Sequence, residues 1–247
     1  MQTLYFITGT SSGIGNALTY HILENEQNTL VEGISRRQTI RHQNYTHHTF
    51  DLSEVDDLVG FFGKLDLKKR IKNKIDKVVL INNAGTLGEI GYVGKIPSQE
   101  IIKATNINTV APFVLMNEFL YTFDNDTFGK IEKIIINISS GASKRPIDGW
   151  ATYSASKAGL NLFSEVIAEE EKIQKQNTKI FNVSVGVVDT AMQGEIRNSS
   201  QQNFSSIDHF KKLKENNELA SPQFIAEKIY SIIQSPNDFG DIWQKLQ

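Results

Sequence analysis

The sequence contains no cysteine, and this absence removes several classes of protein at once. Without thiols the chain can form no disulfide framework, thiolate zinc site or iron–sulfur cluster, and it has no cysteine nucleophile. This composition fits a cytoplasmic location, which we expect. Proline is also scarce, with 5 residues in 247, so we expect no stiff linker between domains.

Neither sign of charge dominates, and long apolar runs are missing. The 26 Lys and Arg residues nearly balance the 28 Asp and Glu residues, which leaves a formal net charge of −2. Nucleic-acid binders rely on excess positive charge, so no nucleic-acid partner is expected. No run reaches the ~18 apolar residues of a membrane-spanning helix, and the first residues lack the basic segment of a signal peptide. We therefore expect no membrane association.

Short β-branched runs alternate with longer segments of helical periodicity along the chain. This alternation is typical of consecutive βαβ units around a parallel sheet, and predicts a single α/β domain over residues 1–247. The predicted strands are Thr3–Thr8, Thr29–Ser35, His47–Asp51, Lys77–Ile81, Lys133–Ser139 and Lys179–Val185. The predicted helices are 13–26, 53–65, 98–104, 109–124, 153–176 and 222–234.

One polar stretch, residues 193–217, interrupts this alternation with clusters of Ser, Asn and Gln. It is either a solvated surface connection or part of a mobile lid over a binding site, and both interpretations stay open. The helix that follows has a clear start, because Ser221 can cap it and Pro222 suits its first position.

A glycine-rich loop follows the first predicted strand and leads into a helix. Its spacing is G-x-x-x-G-x-G, which differs from the G-x-G-x-x-G dinucleotide fingerprint. Glycines allow a tight turn and a close approach to phosphate, and a helix N-terminus offers N–H groups to an anion. The loop favours nucleotide binding over a purely connecting role, and it consists of Thr8-Gly9-Thr10-Ser11-Ser12-Gly13-Ile14-Gly15.

The same loop allows a competing interpretation as a hydrolase nucleophile elbow, G-x-S-x-G, centred on Ser11. Asp189 and His209 follow in the order of a catalytic triad. However, only ten residues precede Ser11, which leaves too little chain for the flanking strands, and His209 lies in the polar stretch. We also expect no metal site, because the adjacent His47 and His48 would point to opposite faces of a strand.

Tyr153 and Lys157 are four residues apart at the start of a predicted helix, so their side chains share one face. An ammonium group beside a phenol favours the phenolate. It is therefore expected to lower the pKa of Tyr153 from about 10 and to make this residue a proton donor near neutral pH. Ser140 ends one predicted strand and Asn83-Ala84-Gly85 follows another. These groups should meet in one crevice, because open α/β sheets bind ligands at the carboxyl ends of their strands.

Together these motifs resemble the short-chain dehydrogenase/reductase family over nearly the whole chain, in the family's order and spacing. The segments around Ser140 and Asp189 are similar to its sepiapterin reductase-like branch. The resemblance implies a Rossmann-like, doubly wound parallel sheet with strand order 3-2-1-4-5-6-7. One departure is Val185-Gly186, where the family usually has Pro-Gly, so the geometry of this loop is harder to predict.

The resemblance also implies a nicotinamide cofactor. Ser35 stands where NAD-dependent members carry an acid, and Arg36 follows it, a pair that suits the 2′-phosphate of NADPH or NADP⁺. The alternative is that Arg36 and Arg37 form a solvated turn. The expected cofactor contacts are Gly9, Ser11, Ser12, Gly13, Ile14, Ser35, Arg36, Asp51, Leu52, Asn83, Ala84, Gly85, Tyr153, Lys157, Gly186, Val188 and Thr190.

The function implied is hydride transfer from NADPH to a ketone or benzil-type α-diketone, a small-molecule carbonyl substrate, to give the alcohol. The implied catalytic residues are Asn108, Ser140, Tyr153 and Lys157, and Asn108 would position a water for reprotonation. A substrate lid would span 191–217, above pocket walls formed by Ala142, Ile147, Trp150 and Met192.

Two alternatives remain, a sepiapterin or other pterin reductase and a non-catalytic NADP-binding sensor of the same fold. The family also commonly pairs the helices equivalent to 109–124 and 153–176 across a two-fold axis, which implies a homodimer. A monomer is the alternative, because the second helix carries the acids Glu165, Glu169, Glu170 and Glu171, whose like charges would meet across a symmetric interface.

Overall fold

The computed structural model of the chain describes residues 2–65, 67, 75–124 and 131–247. Within these residues, seven strands form one sheet in the order β3-β2-β1-β4-β5-β6-β7, and every pairing is parallel. This order confirms the doubly wound topology implied by the sequence. The strands are β1 (Thr3–Thr8), β2 (Thr29–Ser35), β3 (Tyr45–Thr49), β4 (Lys77–Asn82), β5 (Glu132–Ser139), β6 (Thr178–Ser184) and β7 (Trp243–Lys245).

Helices cover both faces of the sheet. They are α1 (Gly13–Asn25), α2 (Phe61–Lys64), α3 (Ser98–Thr105), α4 (Ala111–Thr122), α5 (Ala151–Ile173), α6 (Ala191–Arg197), α7 (Ile207–Glu215) and α8 (Pro222–Gln234). A π-helical segment, Asn106–Val110, joins α3 to α4. Ser221 caps α8 as expected, because its Oγ accepts a hydrogen bond of 3.1 Å from the Phe224 N–H.

Alternating side chains of the strands feed two separate apolar layers. In β1, Tyr5 and Ile7 pack with α1 and α8 on one face, whereas Leu4 and Phe6 pack with α4 and α5 on the other. Burial of both faces explains why these strands read as nearly continuous apolar runs. Since all strands are parallel, their carboxyl ends lie along one edge, where the loops that carry the polar motifs emerge.

Three predicted elements differ from the structure. The third strand runs over Tyr45–Thr49 instead of His47–Asp51, because its pairing with β2 begins at Val31 and ends where β2 ends, at Ser35. The helix expected over 53–65 is a 3₁₀ turn at Val55–Leu58 followed by α2, and Gly60 separates them with a φ of 69°. The polar stretch contains most of α6 and all of α7.

In the part of the chain that the structure describes, none of the helices combines the length and the apolar character needed to cross a bilayer.

Candidate active site

The glycine loop and the segment after β4 are joined by the side chains of Thr8 and Asn83. Thr8 Oγ1 accepts hydrogen bonds from the N–H groups of Asn83 and Ala84, each 3.0 Å long. In return, Asn83 Nδ2 donates to the Thr8 carbonyl at 2.8 Å. A Cβ at Gly15 would collide with Asn83 Nδ2, so the glycine permits this close packing. Two of the predicted cofactor segments therefore form one rigid unit.

The start of α1 faces the loop after β6. Ser12 precedes the helix without a side-chain capping hydrogen bond, so its hydroxyl and the first N–H groups of α1 are available to an anion. Gly13 has a φ of 59°, and a Cβ there would lie 3.3 Å from Thr190 Cγ2. The predicted contacts Ser12, Gly13, Ile14 and Thr190 therefore border one cleft.

A buried polar network that the sequence analysis missed surrounds Ser35. Thr10 Oγ1 hydrogen bonds with Ser35 Oγ at 3.3 Å and with Tyr45 OH at 2.9 Å. The Tyr45 hydroxyl also meets His47 Nδ1 at 3.2 Å. Thr10 lies inside the glycine loop, which was a usable signal, whereas Tyr45 was assigned to no strand.

Arg36 is exposed at the end of β2, close to Asp51. Hydrogen bonds from Ser53 and the nearby positive charge of Arg36 hold the pKa of Asp51 below its usual range. Arg36 and Asp51 are both predicted cofactor contacts, and the predicted contact Leu52 beside Asp51 is buried.

Asn108 sits in the π-helical segment and is 1% exposed. Its Nδ2 donates to the Thr86 carbonyl at 2.7 Å, and its Oδ1 accepts from the Thr86 N–H at 2.9 Å. A Cβ at Gly85 would lie 3.3 Å from Asn108 Oδ1 and 3.5 Å from Lys157 Nζ. Both polar atoms of the Asn108 side chain thus fasten this segment to the loop after β4, next to Lys157.

Tyr153 and Lys157 lie on the first turns of α5, and both are buried. Lys157 Nζ donates to the Ile138 carbonyl at 2.7 Å and lies 5.8 Å from the centre of the Tyr153 ring. Ser140, at the end of β5, accepts a hydrogen bond of 3.1 Å from the Ala142 N–H and interacts with the Tyr153 phenol. The structure therefore brings three of the four predicted catalytic side chains together.

Burial controls the pKa of both groups. It raises the pKa of Tyr153 above 10.0, and the interaction with Ser140 opposes this only partly. Burial lowers the pKa of Lys157 from 10.5 to about 8. The expected lowering of the tyrosine pKa by the neighbouring ammonium is therefore wrong for the free chain, since desolvation penalises the charged form of each group.

Asn108 and Lys157 both line a small cavity. It measures about 10 Å³, and Asn82 and Thr8 contribute to its walls. This volume is close to the minimum that one water molecule needs, and the lining offers several hydrogen-bonding groups.

An aromatic cluster lies over Tyr153. The Trp150 ring meets the Tyr153 ring edge-on, with 5.8 Å between the ring centres, and stacks on Phe204 at a centre-to-centre distance of 5.2 Å. The centre of the Phe210 ring lies 5.5 Å from that of Trp150. Phe204 and Phe210 belong to the segment spanning α6 and α7. The four residues predicted to form the pocket walls, Ala142, Ile147, Trp150 and Met192, pack in the hydrophobic cluster that contains these rings. Trp150 Nε1 is a buried donor without a partner among the described residues.

The loop after β6 carries the predicted contacts Gly186 and Val188. Gly186 has a φ of 72°, and the Val187 N–H donates to Gln247 Oε1 at 3.1 Å. Val188 forms an isolated parallel bridge with Ala220. The loop is therefore held from the C-terminal side although the usual proline is replaced by Val185.

The hydrolase alternative receives no support from the geometry. Asp189 Oδ2 pairs with Lys214 Nζ at 2.6 Å, and His209 is exposed and packs against Phe210. Among the described residues, no group of three His, Asp or Glu side chains could hold a metal ion.

Comparison with known proteins shows that the chain is similar to members of one family. Residues 3–201 match the family model described as short chain dehydrogenase. The chain is 35% identical over 237 residues to the (S)-benzoin-forming benzil reductase of Bacillus cereus, with 93% of each chain covered. Sepiapterin reductase of Bos taurus is 27% identical over 250 residues, covering 95% of this chain and 90% of the relative.

Among solved structures, 4-hydroxyisoleucine dehydrogenase complexed with NADH superimposes with a TM-score of 0.80 at 26% identity. The match covers 99% of this chain and 96% of that chain. These similarities confirm the resemblance to the sepiapterin reductase-like branch and to benzil reductases, and they support a nicotinamide cofactor.

Proposed function

Since the chain belongs to the short-chain dehydrogenase family and is thus an oxidoreductase, we propose that it is an NADPH-dependent carbonyl reductase for ketones and benzil-type α-diketones. The observation that carries the proposal is the grouping of Ser140, Tyr153 and Lys157 beneath an aromatic cluster. This arrangement provides a carbonyl-binding hydroxyl, a proton donor and a cation within one site.

Ser140 and Tyr153 act on the substrate oxygen. The Ser140 hydroxyl would donate a hydrogen bond to the carbonyl, which orients it and stabilises negative charge on its oxygen. The Tyr153 phenol would donate its proton to the same oxygen as the alcohol forms. Its raised pKa keeps the phenol protonated before the reaction. The phenolate then needs a nearby positive charge, which Lys157 would supply in its protonated form.

Asn108 takes part in reprotonation through its position. The nitrogen and the oxygen of its side chain each bond Thr86, and a backbone group of the π-helical segment would contact the relay water. The cavity that Asn108 and Lys157 line offers room for that water. A proton leaving Lys157 could then be replaced without opening the site.

The cofactor-binding residues fit NADPH. Ser12 and the first N–H groups of α1 would hold the pyrophosphate. The exposed Arg36 would hold the 2′-phosphate through charge-assisted hydrogen bonds. The Ser35 hydroxyl already donates to the Arg37 carbonyl at 3.0 Å, so Ser35 would contribute mainly by ending β2 without a carboxylate that repels the phosphate. Thr190 would bond the carboxamide. When bound, the reduced nicotinamide supplies the hydride that reaches the carbonyl carbon.

The aromatic cluster favours aryl substrates, and the segment 191–217 would act as the lid. Tyr153 is only 8% exposed beneath this segment, so substrate entry requires its displacement. The unpaired Trp150 N–H would donate to the second carbonyl oxygen of an α-diketone, a group that a simple ketone lacks. The similarity to the benzil reductase of Bacillus cereus also supports an aromatic α-diketone as substrate.

The test is NADPH consumption with a matched panel that contains benzil, a diaryl monoketone, an aliphatic diketone and sepiapterin. We expect the highest kcat/KM for benzil. A clear preference for sepiapterin would favour the pterin reductase, an alternative supported by the 27% identity to the bovine sepiapterin reductase. Cofactor binding without turnover of any carbonyl would favour the sensor.

The cofactor preference is tested by kcat/KM for NADPH and NADH in the wild type and in Arg36→Ala. We expect NADPH to be preferred, and the substitution to remove at least ~10-fold of the preference, about the effect of one charge-assisted contact. Arg145→Ala, at a basic residue outside the predicted cofactor contacts, is the matched control. Equal constants for the two cofactors in the wild type would contradict the assignment of Ser35 and Arg36.

A further inference from the structure

A ladder of three asparagines crosses the centre of the sheet and has no part in the mechanism described so far. Asn82, Asn137 and Asn182 occupy paired positions on β4, β5 and β6. They are 4%, 0% and 0% exposed, and they lie one pleat above a paired row of apolar side chains. Three buried amides in an apolar layer are costly unless their hydrogen bonds are made.

The ladder has a fixed direction. Asn182 Nδ2 donates to the Asn161 carbonyl at 3.3 Å, which leaves Asn182 Oδ1 as the acceptor for Asn137 Nδ2, also at 3.3 Å. Asn82 Nδ2 then donates to Asn137 Oδ1 at 2.8 Å. A backbone carbonyl can only accept, so the Asn161 carbonyl fixes the orientation of Asn182, and the amides of Asn137 and Asn82 agree with it.

Ser164 reinforces the direction from a helix. Its Oγ donates to the Leu160 carbonyl at 2.6 Å and accepts from Asn137 Nδ2 at 2.9 Å. With its own proton used, Ser164 offers Asn137 only an acceptor. Asn137 is therefore held by two independent acceptors.

This orientation leaves Asn82, at the other end of the ladder, with an unpaired oxygen. Its Nδ2 is used by Asn137, and its Oδ1 is a buried acceptor without a partner among the described residues. Asn82 lines the 10 Å³ cavity together with Lys157 and Asn108. An unpaired buried acceptor is expensive, and a water donating to it would remove that cost.

We propose that Asn82 is a positioning residue that holds the reprotonation water through its Oδ1, with the asparagine ladder fixing this oxygen toward Lys157. The inference rests on the proposed reductase function, which it extends by one residue. The water would donate to Asn82 Oδ1 and accept from Lys157 Nζ. The Lys157 ammonium already gives one proton to the Ile138 carbonyl and retains others for this contact.

Protons balance along this route. Tyr153 loses one proton to the substrate oxygen, and the phenolate regains one from the Lys157 side. Lys157 is recharged by the cavity water, and that water is recharged from solvent. No electron moves in these steps, because they carry only the proton that accompanies the hydride.

The experiment compares Asn82→Leu with Asn182→Leu at the opposite end of the ladder. Asn82→Leu removes the hydrogen bond to Asn137 Oδ1, whereas Asn182→Leu removes the bonds to Asn137 Nδ2 and to the Asn161 carbonyl. The control should therefore lose at least as much stability in urea, while Ser164 still orients Asn137. We expect Asn82→Leu alone to lower kcat ~10-fold, to increase the solvent isotope effect and to leave the KM for NADPH unchanged. Asn82→Asp, which keeps an oxygen at this position, should recover most of kcat. Asn82→Ala, which also lacks the oxygen, replaces Asn82→Leu in the comparison with Asn182→Leu if the leucine variant does not fold.

A measurement that does not depend on turnover tests the role of Asn82 independently of the proposed reductase function. The pKa of Lys157 is measured by NMR of ¹³C-labelled lysine side chains, with Lys157→Met identifying the signal. Loss of the oriented water should lower this pKa in Asn82→Leu but not in Asn182→Leu. Equal effects of the two leucine variants on kcat and on this pKa, or no effect of either, would overturn the role of Asn82. Absence of carbonyl reduction in the wild type would instead reject the proposed function, and the pKa comparison would still decide the role of Asn82.

Discussion

Burial determines the chemistry of Tyr153 and Lys157 more than their spacing does. Four residues apart on a helix, they were expected to form a pair in which the cation lowers the phenol pKa. In the folded chain, burial raises the pKa of Tyr153 and lowers that of Lys157 to about 8. Spacing reveals which side chains share a face, whereas desolvation also depends on residues distant in sequence, such as Phe204 and Ile207.

Tyr153→Phe removes the proton donor and keeps the ring. We expect kcat to fall at least ~10²-fold, because the substitution deletes the acid catalyst. NADPH affinity and the urea midpoint should stay close to wild type, since the edge-on packing against Trp150 is kept. Steady-state kinetics with benzil and NADPH fluorescence titration measure the two effects. Tyr230→Phe on α8 is the control, and near-wild-type turnover of Tyr153→Phe would contradict its role.

Lys157→Met should abolish turnover and stabilise the fold, and its effect on stability should depend on pH. The wild-type lysine has a pKa of about 8 when folded and 10.5 as its ordinary value. Between these pH values the unfolded state binds more protons than the folded state, so wild-type stability rises with pH. Below pH 8 the folded protein carries the full free-energy cost of burying the Lys157 ammonium. Methionine has no such desolvation cost, although it leaves the Ile138 carbonyl without this donor at every pH. The variant should be more stable by on the order of 1–3 kcal/mol at pH 7, and this advantage should disappear toward pH 10.5.

Urea unfolding of both proteins at pH 7 and pH 10 measures this difference. The same stability difference at the two pH values would show that burial of the ammonium is not its source.

At the scale of elements, Gly149 couples the start of α5 to the segment that carries α6 and α7. It has a φ of 75°, and a Cβ there would collide with the backbone oxygen of Asn203. Gly149→Ala should push this segment away from Trp150, raise the KM for benzil several-fold and cost about 1–3 kcal/mol of stability. The NADPH Kd should not change, because the collision lies on the substrate side.

Gly194→Ala is the matched control for this prediction. Gly194 lies inside α6, and nothing lies within 4 Å of a Cβ placed there. Alanine should raise stability by up to about 1 kcal/mol through helix propensity and leave the KM unchanged. Equal KM values for benzil in Gly149→Ala and Gly194→Ala would contradict the coupling of Gly149 to the lid.

Elements with strong local signals were predictable, and those that depend on distant partners were not. β1, β2 and α8 coincide with their predicted ranges, because apolar runs and the Ser221 cap are local. The start of β3 depends on Tyr45 pairing with Val31, which no local pattern reveals. The helices α6 and α7 have mostly polar surfaces and bury only a few side chains such as Ile196 and Ile207.

The site divides in the same way. Ser140, Tyr153 and Lys157 were predictable, since their spacing is local or matches a family pattern. The role of Asn82 was not, because its unpaired oxygen follows from the orientation of a ladder that spans three strands.

At the scale of the whole molecule, α4 and α5 present an exposed apolar surface. Leu162, Val166 and Ile173 form a stripe on α5 with exposures of 63%, 48% and 73%, and Tyr121 on α4 is 80% exposed. Phe113 and Phe163 stack at 3.8 Å, which joins the two helices into one surface. Glu169 lies within the stripe and pairs with Lys172 at 3.2 Å, which offsets one of the negative charges on this helix.

We therefore expect a homodimer in solution. Light scattering at micromolar concentration should give about twice the chain mass of 27.8 kDa. Leu162→Glu should halve this mass, because it places a charge within the apolar stripe. Tyr20→Glu, at an exposed aromatic residue on α1, is the control. A wild-type mass of 27.8 kDa that is unchanged by dilution or salt would reject the dimer.

The two tryptophans of the chain lie in different environments, and this gives the protein a built-in optical signal. Trp150 is 6% exposed and stacks on Phe204 above Tyr153, whereas Trp243 lies on the last strand beneath the Lys144 ammonium at 3.9 Å. Displacement of the segment carrying Phe204 would move only Trp150 into water and shift its emission to longer wavelength. In a Trp243→Phe background, emission from a single indole would therefore follow the opening of the site in real time.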